Sequence, residues 1–103
     1  MGEPNNLKGL SYDSSLTGYS KREIIFTKID SEDNCTFTFN PLGIVKNPVI
    51  RIDNWSGNSD VKVKEGGNIL SNGDDFLCDK IGDSLVLWFN FVKSSSFTLE
   101  IIP

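Results

Sequence analysis

From Asn47 to Ile101 the chain repeats one arrangement: a short run in which apolar residues alternate with others, a turn of Gly, Asn and Asp, then another such run. A period of two puts every second side chain on one face of an extended strand, and tight turns fold successive strands back on each other. Val49 to Trp55, Asp60 to Lys64, Asp75 to Ile81, Leu85 to Val92 and Phe97 to Ile101 are therefore expected strands. Nowhere does apolar spacing of three and four persist over a helix of ordinary length. Strands with one apolar face bury it by stacking one sheet on another.

The earlier part of the chain extends this pattern. Ile24, Ile25, Phe26 and Thr27 make Arg22 to Ile29 a strand, and Asp30 to Asn34 an acidic turn. Cys35 to Phe39 sets Thr36 and Thr38 on one face and Cys35, Phe37 and Phe39 on the other, the mark of a half-buried antiparallel strand. Asn47-Pro48 begins the next, where the missing N–H of proline does no harm. Leu85, Leu87, Phe89 and Phe91 face opposite to Val86, Trp88 and Val92, so this run is expected to be a central strand covered on both sides. Residues 1–20 are poor in apolar side chains and are expected to form a loosely ordered leader or an edge strand near Leu10 to Leu16.

The expectation is an all-β chain: residues 21–103 as one antiparallel β-sandwich, immunoglobulin-like or jelly-roll-like, of about seven to nine strands. Its 103 residues suffice for one two-layer core, and 38% of them are hydrophobic, seven being Phe. The expected core is Ile50, Ile52, Val61, Val63, Phe76, Leu85, Leu87, Phe89, Phe97, Leu99 and Ile101. By alternation Cys35 joins Phe37 and Phe39, and Cys78 joins Phe76; both read as small buried hydrophobes, with a disulfide as the alternative.

Composition narrows the chemistry. Net charge is -4 and the cations are scattered, so a phosphate backbone finds no basic patch and nucleic acid is not an expected partner. No run reaches the roughly 18 apolar residues of a membrane span, and residues 1–9 hold no signal-peptide core. The chain has no histidine, which removes the commonest general base and any Ser-His or Cys-His nucleophile. Two cysteines alone cannot make a four-ligand zinc site. Paired carboxylates need no histidine, but Asp53, Asp60, Asp74, Asp75, Asp79 and Asp83 sit in or beside turns, where Asp serves the backbone. The reading is a non-enzyme without cofactor or metal.

Two tryptophans remain as candidate binding residues. Trp55 ends a strand at a turn holding Asp53, Asn54 and Asn58, whose polar groups suit sugar hydroxyls, and Trp88 points away from the Leu85 and Leu87 row. A flat exposed indole can stack on a pyranose ring; the competing reading is that both rings are core, the commoner fate of Trp. Tyr12 and Tyr19 are weaker platforms of the same kind.

Asn47-Pro48 leading into Val49-Ile50-Arg51-Ile52, then Asp53-Asn54-Trp55, Val61-Lys62-Val63, Gly73-Asp74-Asp75-Phe76 and Leu85-Val86-Leu87-Trp88 follow in an order and spacing with a family likeness. Over about two thirds of its length the chain resembles a carboxy-terminal β-sandwich accessory module of secreted bacterial polysaccharide-degrading enzymes. It carries Glu65-Gly66-Gly67 where such modules tend to have an Asn-Gly hairpin, and Leu77 where they often place an Arg. The resemblance implies a non-catalytic module of a secreted, periplasmic or cell-surface carbohydrate-active enzyme. Its expected role is to pack on or position the catalytic domain. The alternative is a carbohydrate-binding module that holds polysaccharide on Trp55 or Trp88 with Asn54, Asn58 and Asp53.

Overall fold

The computed structural model describes residues 2–13, 23–29 and 34–103. Tyr19, Leu16 and most of the acidic turn at 30–33 lie outside the described residues. Twelve strands are present among the described residues and no helix. They are β1 (Gly2–Lys8), β2 (Leu10–Tyr12), β3 (Glu23–Lys28), β4 (Cys35–Pro41), β5 (Val45–Lys46), β6 (Val49–Asp53), β7 (Lys62–Glu65), β8 (Asn68–Ile69), β9 (Phe76–Ile81), β10 (Ser84–Phe89), β11 (Val92–Lys93) and β12 (Phe97–Ile102).

Two five-stranded sheets form the layers. The first runs β1-β4-β12-β7-β8, the second β2-β3-β6-β10-β9, and a small β11-β5 pair forms a third sheet. All pairings are antiparallel except β3 with β6, which is parallel because the chain visits β4 in the first sheet and β5 in the small pair before it returns beside β3. The sandwich class expected from the alternation holds; the strand count of about seven to nine does not. The excess comes from β5, β8 and β11, two residues each, too short to show a period of two.

The core is the shared inner surface of the two layers. Ile24 and Phe26 of β3, Ile50 and Ile52 of β6, Phe76 of β9 and Leu85, Leu87 and Phe89 of β10 meet Cys35, Phe37 and Phe39 of β4, Val63 of β7 and Phe97, Leu99 and Ile101 of β12. The Phe26 and Phe37 rings touch across the layers with centroids 4.6 Å apart. Phe89, Phe91 and Phe97 form a second bridge, at 5.2 and 5.3 Å. Each fully buried Phe, Leu or Ile contributes about 1.5–3 kcal/mol, so the rows that alternate in sequence are the rows that hold the layers together. All eleven residues expected in the core are buried. Cys35 is buried and Cys78 half-buried, and no disulfide joins them.

Local chemistry sets the strand ends. The run expected to reach Trp55 stops at Asp53, because Asn54 takes a left-handed φ of 61° and turns the chain out of the sheet. The run expected to reach Val92 stops at Phe89; Asn90 donates its N–H to the Asp75 carbonyl, and pairing resumes at β11 with β5. β10 lies between β6 and the edge strand β9. Its outer face is therefore not covered as expected: Val86 is shielded by its neighbours, but Trp88 is 39% exposed.

Candidate functional site

The register of the second sheet assigns its outer face row by row. Glu23 of β3 opposes Val49 of β6, which opposes Trp88 of β10, which opposes Leu77 of β9. The next row outward-facing on the pleat is Ile25, Arg51, Val86 and Asp79. The third holds Thr27 and Asp53, then Ser84 opposite Ile81. One face thus carries an indole, aliphatic neighbours and a strip of polar groups, because alternation sends Ile50, Ile52, Leu85 and Leu87 to the other side.

The polar strip is internally bonded. Arg51 donates from Nε to Asp53 Oδ1 at 2.8 Å and from Nη2 to Oδ2 at 3.1 Å, a fork-to-fork pair. Its Nη1 lies 3.6 Å from Glu23 Oε1. Ser84 donates its hydroxyl to Asp53 Oδ1 at 2.6 Å. The Arg51 hydrogen bonds, with the Ser84 bond adding to them, hold the Asp53 carboxyl below its ordinary value, and the hydrogen bonds to Asp53, with the Asp53 and Glu23 charges adding to them, raise Arg51 above its own. Both groups stay charged at neutral pH, fixed in position and with lone pairs and edges still turned to solvent.

Two open depressions meet at Trp88. One, of about 350 Å³, is lined by Asn47, Val49, Asp74, Leu77, Trp88 and Asn90 among others. The other, of about 360 Å³, is lined by Glu23, Val49, Arg51, Ile81, Ser84, Val86 and Trp88. Leu77 and Ile81, each 57% exposed, give this face its apolar flank at the edge strand.

Trp55 has a different fate. Its ring is 3% exposed, its Nε1 donates to the Asn58 carbonyl at 2.9 Å, and its backbone N–H donates to Asp83 O. A ring enclosed in this way offers no face to a ligand, so the expected platform at Trp55 is replaced by a core anchor for the 54–60 loop. Asn54 is exposed but spends its Nδ2 on the Lys28 carbonyl at 3.0 Å, and Asn58 Oδ1 accepts the Asp60 N–H. Of the residues expected to bind, Asp53 lies on the face of Trp88 through the polar strip; Trp55, Asn54 and Asn58 belong to a turn beyond the strand. Tyr12 packs on Phe26 with centroids 5.7 Å apart.

Glu23, Arg51, Ser84, Leu77 and Ile81 were not foreseen as members of a site. Arg51-x-Asp53 carried a signal, since residues two apart on a strand share a face. Glu23 carried none, because the parallel β3·β6 pairing that brings it beside Arg51 has no local signature.

The remaining candidate groups serve the fold. Asp75 Oδ2 accepts the Ser71 N–H at 2.7 Å and Asp79 Oδ1 the Lys80 N–H at 2.8 Å. Burial, with the Asp79 charge adding to it, pushes the Cys78 thiol up to about 11, so it is protonated at neutral pH and inert as a nucleophile. Among the described residues no group of three His, Cys, Asp or Glu side chains is placed to hold a metal ion, and no helix is long and apolar enough to cross a membrane.

Fold and face together define an all-β sandwich with a half-exposed indole set in a polar and aliphatic sheet surface. Comparison with known proteins finds no matching family model, no matching curated protein and no matching solved structure.

Proposed function

We propose that this chain is a non-catalytic binding module of a larger secreted or cell-surface protein, and that it holds polysaccharide on the outer face of the second sheet. Trp88 carries this reading. The residue is 39% exposed between two open depressions, on the same face as hydrogen-bonding groups that are already fixed in place. A sugar ring presents an apolar C–H face to stack on an indole and equatorial hydroxyls to bond sideways, and both demands are met on one face of the sheet. Glu23 offers acceptors, and Ser84, Asn47 and Asn90 offer polar edges at the two ends.

The test uses the two indoles against each other. Trp55 is enclosed, so iodide-quenchable emission belongs to Trp88. Titration with soluble polysaccharides should shield that emission, and Trp88→Ala should abolish both the quenchable component and binding. Full iodide access to Trp88 in the presence of every polysaccharide would refute the reading.

A second reading is favoured by Leu77 and Ile81, whose exposed aliphatic chains extend the same face toward the sheet edge. On that reading the face packs on a catalytic domain of the parent protein. Trp88 would then be shielded by that domain added in trans and by no glycan.

A further inference from the structure

Resting on the glycan reading, we propose that the Trp88 face selects an uncharged polysaccharide chain laid along β10 and turns away uronate chains. The first part follows from the shape of the surface. The two depressions share only Val49 and Trp88, and they spread from Ser84 at one end of β10 to Asn90 just past the other. Six residue steps of a strand cover roughly 20 Å, which is a track for several linked sugars passing over the indole and not a socket for one. Both depressions are open, so nothing in their walls closes off a chain end.

The second part follows from charge. The outward positions of β3, β6, β9 and β10 carry the carboxylates Glu23, Asp53 and Asp79, and Asp74 lines the depression at the far end. Among the described residues the one cation on those outward positions is Arg51. Two of its nitrogens are spent on Asp53 and a third faces Glu23 at 3.6 Å. With its Nε–Nη2 edge filled by Asp53 and its Nη1 facing Glu23, the guanidinium meets an incoming carboxylate with its charge already offset by two fixed ones. Among the described residues a uronate chain would thus meet three outward carboxylates on these strands against one cation, Arg51, that is already paired with two of them, a like-charge juxtaposition that acts as discrimination. Neutral hydroxyls meet no such penalty and can bond to the carboxylates directly.

The experiment titrates the intact chain with six-sugar oligomers, following Trp88 emission and heat. The probes are the β-1,4-linked glucose, xylose and mannose hexamers, the galacturonate and guluronate hexamers, and the glucosamine hexamer. The expected result is that at least one neutral hexamer binds tenfold or more tighter than either uronate, and tenfold or more tighter than its own monosaccharide. In Glu23→Gln/Asp53→Asn, checked for folding by far-UV circular dichroism, Arg51 is released and uronate affinity should rise at least fivefold. Where that variant fails to fold, added salt on the unaltered protein gives the same information, since screening of repulsion should strengthen uronate binding. A uronate or glucosamine hexamer that binds tighter than every neutral one overturns the selection while leaving the glycan reading in place. A monosaccharide as tight as its hexamer overturns the track. Failure of all six probes to alter Trp88 overturns the glycan reading together with this inference.

Discussion

The two tryptophans show how one residue type takes opposite roles in one sandwich. Trp55 follows a left-handed Asn54 and is drawn into the end of the core, where its N–H finds the Asn58 carbonyl; Trp88 sits mid-strand with the wrong parity for the core. Trp55→Ala should lower unfolding free energy by about 3–5 kcal/mol in urea titrations, the usual cost of a large cavity. Trp55→Phe should cost clearly less, losing mainly one hydrogen bond worth about 1 kcal/mol. Trp88→Ala should change stability little, so a large loss there would mean that the ring is packed and not presented. Asp53 gives a pH signature. Its folded value is depressed below the ordinary 3.8, chiefly by the Arg51 hydrogen bonds, so its contribution is complete above that value and disappears as pH falls through the lower folded one. Asp53→Asn should therefore be less stable than the unaltered chain near neutrality, by under about 1 kcal/mol because the pair is partly solvated, and the gap should close in strong acid. A gap that widened in acid would contradict the assigned pairing.

Among the elements, those with several alternating residues were legible and those made by tertiary accident were not. The inward rows Phe37 and Phe39, Ile50 and Ile52, and Leu85, Leu87 and Phe89 could be placed from spacing alone, because a one-residue slip would expose each whole row. β5, β8 and β11 have no row to read, and β1 carries Pro4, Asn5 and Asn6 with a register shift before Lys8, so only its pairing with β4 makes it a strand. For the site, parity told which way Trp88 points, but whether a further layer covers that face is a property of topology. The passage from β1 to β2 shows the same dependence. Gly9 has a φ of 71°, its carbonyl accepts the Ile29 N–H, and a Cβ there would lie 3.1 Å from the Asn34 carbonyl oxygen. Gly66 is also left-handed, at 56°, but faces open space. Gly9→Ala and Gly66→Ala should both incur about 1–2 kcal/mol of backbone strain, and Gly9→Ala should cost more, because backbone must also move aside. Equal costs in thermal unfolding would show that the crossover is looser than its geometry.

The whole molecule depends on joining distant segments. β12, the last strand, lies in the middle of the first sheet, with Ile101 opposite Cys35 on one side and Val63 on the other. Its inward residues Phe97, Leu99 and Ile101 lie in the same apolar cluster as Ile52, Leu85 and Leu87 of the second sheet. Without 97–103, β4 would lose its partner on one side, β7 and β8 would have no sheet to join, and the inner face of the second sheet would be open to water. Those two-stranded remnants are marginal by themselves. Removal of 97–103 should therefore abolish folding of both layers in one step, instead of leaving the second sheet intact. The near-ultraviolet circular dichroism of the indoles checks this, because Trp88 stands on the second sheet, on the face turned away from β12. If the truncated chain kept an asymmetric Trp88 signal and a cooperative urea transition, the second sheet would be a folding unit of its own. Loss of both signals together identifies the two layers as one cooperative structure, in which the sheet face that carries Trp88 is held in place by strands of the opposite layer.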